Sequence, residues 1–396
     1  MIRTFSRCWR LALVLAITGL SLAAQPVSQS ANRYRDEHPW AMRRSDAART
    51  GQSTAVGPVQ GTLAWSRMMR GDVPSMAVGR SGRIYLGATF HDKQWTYENY
   101  VHALTPGGEV AWRVKVPSYD WGFSQGVRSG PALDAAERPM MNSSKSMVLR
   151  FHGLGQTDLS IARSSNAIMN SSPVIAPDGT FFHYHWIDGG LTKYTEDGQI
   201  LWSVSFNSNT DPAVAPNGDL VMGGVFTREP HGSTDITYIN ANGTVRWIKS
   251  SSNGRDSQPI FGPDGTVYQG AGAYTPAGTV KWGTPNGADA ALGRNGFLYV
   301  AAGSQLTAYR ASDGLVIWQT TTPSGYSILP EMAIDSLDRL YVTTAGGEVY
   351  GFTASGSVML SLKVCEAFET GPVLGANRDL IAFGRNGFDN YVFSVR

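Results

Sequence analysis

Two histidines of this sequence have the spacing of metal ligands. His183 and His185 are separated by one residue, so on a β-strand both side chains lie on one face. A His-x-His pair of this kind predicts half of a transition-metal site, which Asp188 or His152 would complete. A packed pair of histidines without metal is the alternative interpretation, because two ligands do not complete a site.

Polar and charged residues recur just before or within the first strand of successive sequence repeats. They predict a site for a cation or a basic loop of a partner, with a solvated rim of loop residues as the alternative. The residues predicted to bind a ligand or partner here are Arg128, Asn170, Asp211, Asp256, Asp289, Glu331 and Glu369.

Two insertions rich in aromatic residues are further candidates for recognition. Residues 91–100 contain Trp95, and residues 118–125 contain Trp121. Aromatic side chains on loops suit a sugar ring or an apolar loop of a partner, and local packing is the alternative. The sequence contains no Gly-x-Ser-x-Gly, phosphate-binding loop, dinucleotide fingerprint or two-histidine zinc helix, so no catalytic residues are assigned.

These candidates must be positioned by a repeat, which has two anchors. One is a glycine four residues before a tryptophan, replaced by leucine at Leu159 and Leu360. The tryptophans are predicted to wedge between neighbouring sheets; they are Trp65, Trp112, Trp202, Trp247, Trp282 and Trp318.

The second anchor is an earlier turn, followed three residues later by an aromatic or aliphatic residue. Ser81-Gly82 before Tyr85 and Asp178-Gly179 before Phe182 are examples, and weaker copies have Glu137, Asp338 and Arg378 at the turn. Both anchors occur eight times. Residues 61–65 precede the first complete copy, and the last copy lacks its final strand. This offset predicts an all-β, eight-bladed propeller of four-stranded antiparallel blades, whose last blade is completed by the N-terminal strand.

The repeat of Pro-x-x-x-Pro-Asp-Gly, a strand with tyrosine or phenylalanine, and Asp-Gly-x-x-x-Trp resembles the PQQ-like β-propeller family. The segment from Pro39 to Pro58 is similar to the leader of such repeats. The resemblance covers about residues 39–396. It implies either a quinoprotein dehydrogenase, with PQQ and calcium in the centre, or a non-catalytic scaffold such as the barrel-assembly lipoprotein of the outer membrane. The dehydrogenases are longer and commonly have adjacent cysteines, which this sequence lacks, so we expect no cofactor.

The N-terminus predicts export. Arg3, Arg7 and Arg10 precede the apolar residues 11–22, a stretch too short to span a bilayer. Without residues 1–24 the net charge changes from +2 to −1, because three arginines are lost, and no basic surface for nucleic acid is expected. Only Cys365 would remain, so no internal disulfide is expected. We expect a signal peptide (1–24), an N-terminal extension (25–57) and the propeller (58–396).

The predicted function is that of a secreted or periplasmic, monomeric, non-catalytic propeller. Its partner would be a protein, peptide or glycan that binds at the channel mouth and the aromatic loops. The alternative is a propeller enzyme, either a degenerate PQQ-dependent dehydrogenase or a lyase or hydrolase that uses histidine and acidic residues at the mouth. An enzyme would collect these groups in one deep pocket, whereas a scaffold would show a shallow mouth.

Overall fold

The computed structural model describes residues 38–91, 97–116, 129–143, 147–162, 171–185, 190–205, 208, 210–223, 235–250, 257–270, 272–283 and 289–396. No helix within these ranges is long and apolar enough to cross a membrane.

The described residues form β-strands joined by turns and loops. The first half of the chain contains β1 Leu63–Met69, β2 Met76–Val78, β3 Ile84–His91, β4 Tyr97–Leu104, β5 Val110–Val116, β6 Ala132–Leu133, β7 Pro139–Ser143, β8 Met147–Phe151, β9 Thr157–Ala162, β10 Val174–Ile175, β11 Phe181–His185, β12 Gly190–Tyr194 and β13 Ile200–Val204. The second half contains β14 Ala213–Val214, β15 Leu220–Gly223, β16 Asp235–Ile239, β17 Val245–Ser250, β18 Ile260–Phe261, β19 Val267–Gln269, β20 Gly272–Tyr274, β21 Val280–Gly283, β22 Asp289–Leu292, β23 Phe297–Ala302, β24 Gln305–Arg310, β25 Val316–Thr321, β26 Ala333–Ile334, β27 Leu340–Thr343, β28 Glu348–Phe352, β29 Val358–Lys363, β30 Ala367–Phe368, β31 Val373–Leu374, β32 Leu380–Asn386 and β33 Asp389–Val395.

Eight antiparallel sheets follow one another as the blades of a propeller. Blades 1 to 7 are β2–β5, β6–β9, β10–β13, β14–β17, β18–β21, β22–β25 and β26–β29, each in the order inner to outer strand. Blade 8 contains β31, β32, β33 and β1, with β30 paired to β32. The predicted all-β, eight-bladed architecture of four-stranded blades is confirmed.

The N-terminal strand completes the last blade. β1 runs antiparallel to β33, with Trp65 opposite Ser394 and Met69 opposite Asn390. Thr62 and Arg396 exchange two further main-chain hydrogen bonds of 2.7 and 2.9 Å. The predicted closure is therefore confirmed, and β33 is paired on both sides.

The turn between the first and second strands of every blade contains a residue whose backbone has the left-handed conformation, with positive φ. Five blades use glycine there, with φ between 76° and 85°. The other three place Glu137, Asp338 and Arg378 at this position, with φ of 60°, 56° and 59°. A side chain in this region is uncommon, so the three exceptions show that the turn is imposed by the repeat even where glycine is missing.

A tryptophan and a glycine form most junctions between blades. The indole N–H of each repeat tryptophan donates to a main-chain carbonyl of the following blade at 2.8–3.1 Å. The ring also covers that blade's glycine. A Cβ added at Gly314 would lie 2.6 Å from Cδ2 of Trp282, so no other residue fits without displacement.

At the two junctions with leucine, a different side chain donates the hydrogen bond. Leu159 stands between blades 2 and 3, where Arg150 Nη1 donates to the carbonyl of Glu196 at 2.9 Å. Leu360 stands between blades 7 and 8, where the hydroxyl of Tyr341 donates to the carbonyl of Pro58 at 2.9 Å. The junction therefore keeps a polar link when the indole is lost.

The two ends of the channel differ. We call the end where each innermost strand begins the rim face; hairpins between the second and third strands lie there too. The opposite end, the turn face, carries the tight turns after the first and third strands. Among the predicted polar residues, those that the structure describes precede or begin the innermost strands and therefore belong to the rim face; they are Asp211, Asp289, Glu331 and Glu369.

Candidate functional site

Residues 38–53 lie inside the propeller rather than beside it. Fourteen of these sixteen residues are buried, and Arg43 and Ala48 are half-buried. The segment enters at the turn face, where His38 Nε2 lies 2.8 Å from the carbonyl of Asp134. It leaves along blade 7, where Ser336 N–H donates to the carbonyl of Ala55 at 2.9 Å. We call residues 38–53 the channel segment.

Main-chain hydrogen bonds attach the channel segment to the innermost strands of six blades. In each of them an N–H of the strand donates to a carbonyl of the segment at 2.7–3.0 Å. The donors are Val78, Leu133, Val214, Phe261, Leu292 and Ile334, and their acceptors are Trp40, Ala41, Ala47, Ala48, Thr50 and Gly51 in that order. The segment satisfies donors that would otherwise face an empty channel, where a buried unpaired N–H is costly.

Blade 3 contacts the segment through apolar side chains. Ala41, Met42 and Ala47 share a core cluster with Val174 and Ile175 of β10. Trp40 packs in the cluster that contains Leu374 of blade 8. The segment thus belongs to the central core, and the small side chains of its alanines allow close approach to the strands.

Three arginines of the segment bind three of the predicted acidic residues. Arg43 donates to Glu331 and, at 3.3 Å, to Asp211. Arg44 donates to Asp289 and to the carbonyl of Ala290. These acids come from blades 4, 6 and 7, so the arginines join distant parts of the ring.

Arg49 is the most deeply buried of the three arginines. Its side chain has no exposed surface, and its Nη2 lies 3.6 Å from Oδ2 of Asp211. Its Nε donates to the carbonyl of Pro212 at 3.1 Å. Asp211 therefore balances both Arg43 and Arg49, which makes it the acid on which most of this network depends.

Burial and the neighbouring carboxylates act in opposite directions on these guanidinium groups. Burial lowers the pKa of Arg44 and of Arg49. Burial also acts to lower the pKa of Arg43, but the charges of Glu331 and Asp211 outweigh it and raise that pKa. Removal of an acid would leave a buried cation without compensation.

The residues that precede the innermost strands also form a belt from blade to blade. Gly130 N–H donates to Ser172 Oγ at 2.9 Å, and Ser172 N–H donates to Asp211 Oδ1 at 2.8 Å. Asp211 N–H continues the belt to Gln258 Oε1 at 3.2 Å. Asp211 and Glu331 are only 3% and 5% exposed, so these residues form a buried layer instead of a solvated edge.

A serine or threonine two residues before proline is a signal that the sequence analysis missed. It occurs in five blades, as Ser129, Ser171, Thr210, Ser257 and Thr370. Ser171 Oγ donates to the carbonyl of Tyr184, and Phe383 N–H donates to Thr370 Oγ. The hydroxyl fixes the end of the second strand beside the belt, and the spacing Ser/Thr-x-Pro would have revealed it.

Glu369 is not part of the arginine network. Glu369 is about one-third exposed and lies 3.9 Å from Arg385 on blade 8. Burial and the charge of Asp72 raise its pKa. The remaining predictions lie outside the described residues: Arg128, Asn170, Asp256, Trp95 and Trp121.

The predicted metal site remains a prediction. His183 is buried in β11, opposite Thr192 of β12. The side chain of His185 and all of Asp188 lie outside the described residues, and His152 lies in the turn after β8, 3.9 Å from Asp158. Within the described ranges, no three histidine, cysteine or acidic side chains are close enough to hold a metal ion.

The described centre does not fit the calcium-bound quinone that the resemblance implies. Calcium needs several free oxygen ligands. The carboxylates of Asp211, Asp289 and Glu331 each bind an arginine instead. The main chain of the channel segment also fills the turn-face end of the channel.

The arginine network was missed because its two halves are far apart in the sequence. The acids alone predict a site for a basic loop, and the leader that contains Arg43, Arg44 and Arg49 lies in a different part of the sequence. The paired residues are separated by 168, 245 and 288 positions. Charge complementarity between the leader and the rim was the available signal.

Comparisons with known proteins agree with this fold. Residues 264–359 match the family model described as outer membrane protein assembly factor BamB. A comparison with curated proteins gives no match.

Among solved structures, BamB from Moraxella catarrhalis is similar with a TM-score of 0.59 and 12% identity, over 85% of this chain and 99% of that chain. The quinohemoprotein alcohol dehydrogenase of Comamonas testosteroni gives 0.64 and 12%, over 93% and 81%. The enzyme ADHIIG of Pseudomonas putida HK5 gives 0.66 and 11%, over 93% and 81%. At such identities the likeness concerns the fold alone. The family match, the repeat and the closed ring of eight blades together support the resemblance to the PQQ-like β-propeller family.

Proposed function

We propose that this protein is an exported, non-catalytic propeller that binds a partner, most simply a protein, on its rim face. One observation carries the proposal. The centre of the propeller is occupied by the channel segment, and the carboxylates of Asp211, Asp289 and Glu331 there each bind an arginine. These three carboxylates are therefore not free to act on a substrate.

The rim face offers exposed aromatic residues for such a partner. Phe388 is fully exposed in the hairpin between β32 and β33, and Tyr326 is 54% exposed in the loop that leads to blade 7. Aromatic side chains are enriched where proteins bind each other. The matching family model is that of an assembly factor, which supports a protein partner over a peptide or glycan.

Site-specific crosslinking tests this function. A photoreactive amino acid replaces Phe388 on the rim face, and Leu154, which is 79% exposed on the turn face, serves as the matched control. We expect a discrete crosslinked protein from position 388 in intact cells of the source organism and none from position 154. Equal crosslinking at both positions, or none at either, would contradict a partner site on the rim face.

Two further measurements address export and the cofactor. N-terminal sequencing of the protein from the cell envelope should begin after residue 24, because residues 1–24 have the pattern of a cleaved signal. We also propose that no quinone binds. Titration with PQQ and calcium should therefore leave the tryptophan fluorescence unchanged and give no reduction of dye by alcohols; saturable quenching would favour the dehydrogenase alternative.

A further inference from the structure

The channel segment contacts the propeller as a bound peptide contacts a receptor. Its main-chain carbonyls accept hydrogen bonds from six different innermost strands. Contacts of this kind recognise the main chain of a peptide whatever its sequence, and side-chain pockets add specificity. Here the specificity comes from Asp211, Asp289 and Glu331, which belong to three blades.

The conformation of the segment depends on its surroundings. Arg44, Ser45 and Arg49 have φ of 57°, 72° and 64°, a region that residues other than glycine seldom adopt. Three such residues within six positions would not persist in a free peptide. The channel therefore imposes the bound shape on the segment.

The covalent link between the channel segment and β1 is exposed at residues 59 and 60. Gly57 and Pro58 are held by Arg339 and Tyr341 of blade 7. The next residues, Val59 and Gln60, are exposed, and Thr62 already pairs with Arg396. Residues 59 and 60 take no part in the contacts described between the channel segment and the propeller.

We propose that the central channel is a peptide-binding site for a turn-containing, arginine-bearing segment, and that residues 38–53 are its resident ligand. The chemical class of the ligand follows from the contacts. It has two adjacent arginines, a third arginine five residues later, and small residues between them. A peptide with these features supplied in solution should occupy the same channel once the resident segment has left it.

Cleavage of the full chain tests the proposal. A protease recognition sequence is inserted between Val59 and Gln60, and the folded protein is cut there. We expect the N-terminal fragment to co-elute with the propeller in size-exclusion chromatography, with unchanged tryptophan fluorescence. Release of the fragment from a propeller that stays folded would overturn the proposal, as would unfolding or aggregation of the propeller upon cleavage, since the segment would then be an inseparable part of the core.

An exchange experiment tests the chemistry of recognition without a protein variant that might fail to fold. Excess fluorescent peptide of residues 38–58 is added to the cleaved protein, and unlabelled peptides compete with it. The competitor with Arg43→Gln, Arg44→Gln and Arg49→Gln should be at least tenfold weaker than the native peptide. The control peptide carries Thr54→Ala, which changes an exposed residue, and it should compete as well as the native peptide. Gln52 is kept in all peptides because its side chain donates to the carbonyl of Leu292. Equal competition by all three peptides, or no incorporation of the labelled peptide, would overturn the proposal.

Discussion

The junctions between blades and the central channel are closed in opposite ways. At the periphery one device is repeated, in which a tryptophan of one blade covers a glycine of the next and donates to a carbonyl there. At the centre eight innermost strands converge, and a single segment with no internal repeat closes the space. The difference shows that a sequence repeat can provide the contacts between neighbouring blades, whereas the central channel is filled by a segment that occurs once.

The largest expected effect is at the centre. Asp211→Ala removes the acid shared by Arg43 and Arg49 and the acceptor of Ser172 N–H, so we expect a loss of about 3–5 kcal/mol in the free energy of unfolding. Urea unfolding measures it. Asp313→Ala is the control, because its ion pair with Arg310 is exposed and water screens it, so little change is expected. A similar small effect of both variants would remove the distinction between centre and periphery.

The next effect is at a junction. Trp247→Ala removes a half-buried ring and its 3.0 Å hydrogen bond to Pro276, so we expect a loss of about 3 kcal/mol. Trp247→Phe keeps most of the apolar contact and should cost less. Urea unfolding of both variants measures the difference. A loss near zero for the alanine variant would mean that the indoles do not hold the blades together.

Acid should act at the periphery through His102. Burial, followed by the charge of Arg113, lowers the pKa of His102 from 6.5 to about 4. The unfolded chain then binds a proton more readily than the folded one as the pH falls below 6.5, so stability decreases. This pKa shift lowers the free energy of unfolding by about 2 kcal/mol between pH 7 and pH 5. Urea unfolding at both pH values should show a smaller decrease in the free energy of unfolding for His102→Gln than for the native protein. An identical decrease would mean that other groups cause the acid sensitivity.

The smallest effect concerns a junction without tryptophan. Tyr341→Phe removes only the hydroxyl that donates to Pro58, so we expect a loss of about 1 kcal/mol. Phe352→Leu in the same blade changes apolar packing without that bond and separates the two contributions. Thermal unfolding of the two variants is the measurement. If Tyr341→Phe is as stable as the native protein, the tyrosine hydroxyl does not replace the hydrogen bond of the indole at this junction.

The periphery could be predicted because its residues repeat. Glycine and tryptophan at fixed spacing gave the number of blades, and the orphan strand around Trp65 gave the closure. The positions of Glu137, Asp338 and Arg378 followed from alignment, although their side chains gave no turn signal of their own.

The centre could not be predicted in the same way. Arg43, Arg44 and Arg49 have no periodic counterparts, and the three acids they bind stand at a position that is acidic in only three blades. Only the three-dimensional ring brings a leader of the chain next to residues more than 150 positions away.

The ring closure also constrains the order of events during synthesis. β1 is made before the strands of the other seven blades, and β33, its partner among the described strands, is made after them. Until β33 is made, β1 has no strand to pair with, and the incomplete propeller has an unpaired strand edge on each side of the gap. A product that stops before residue 389 therefore keeps both edges open, and such edges favour association between chains.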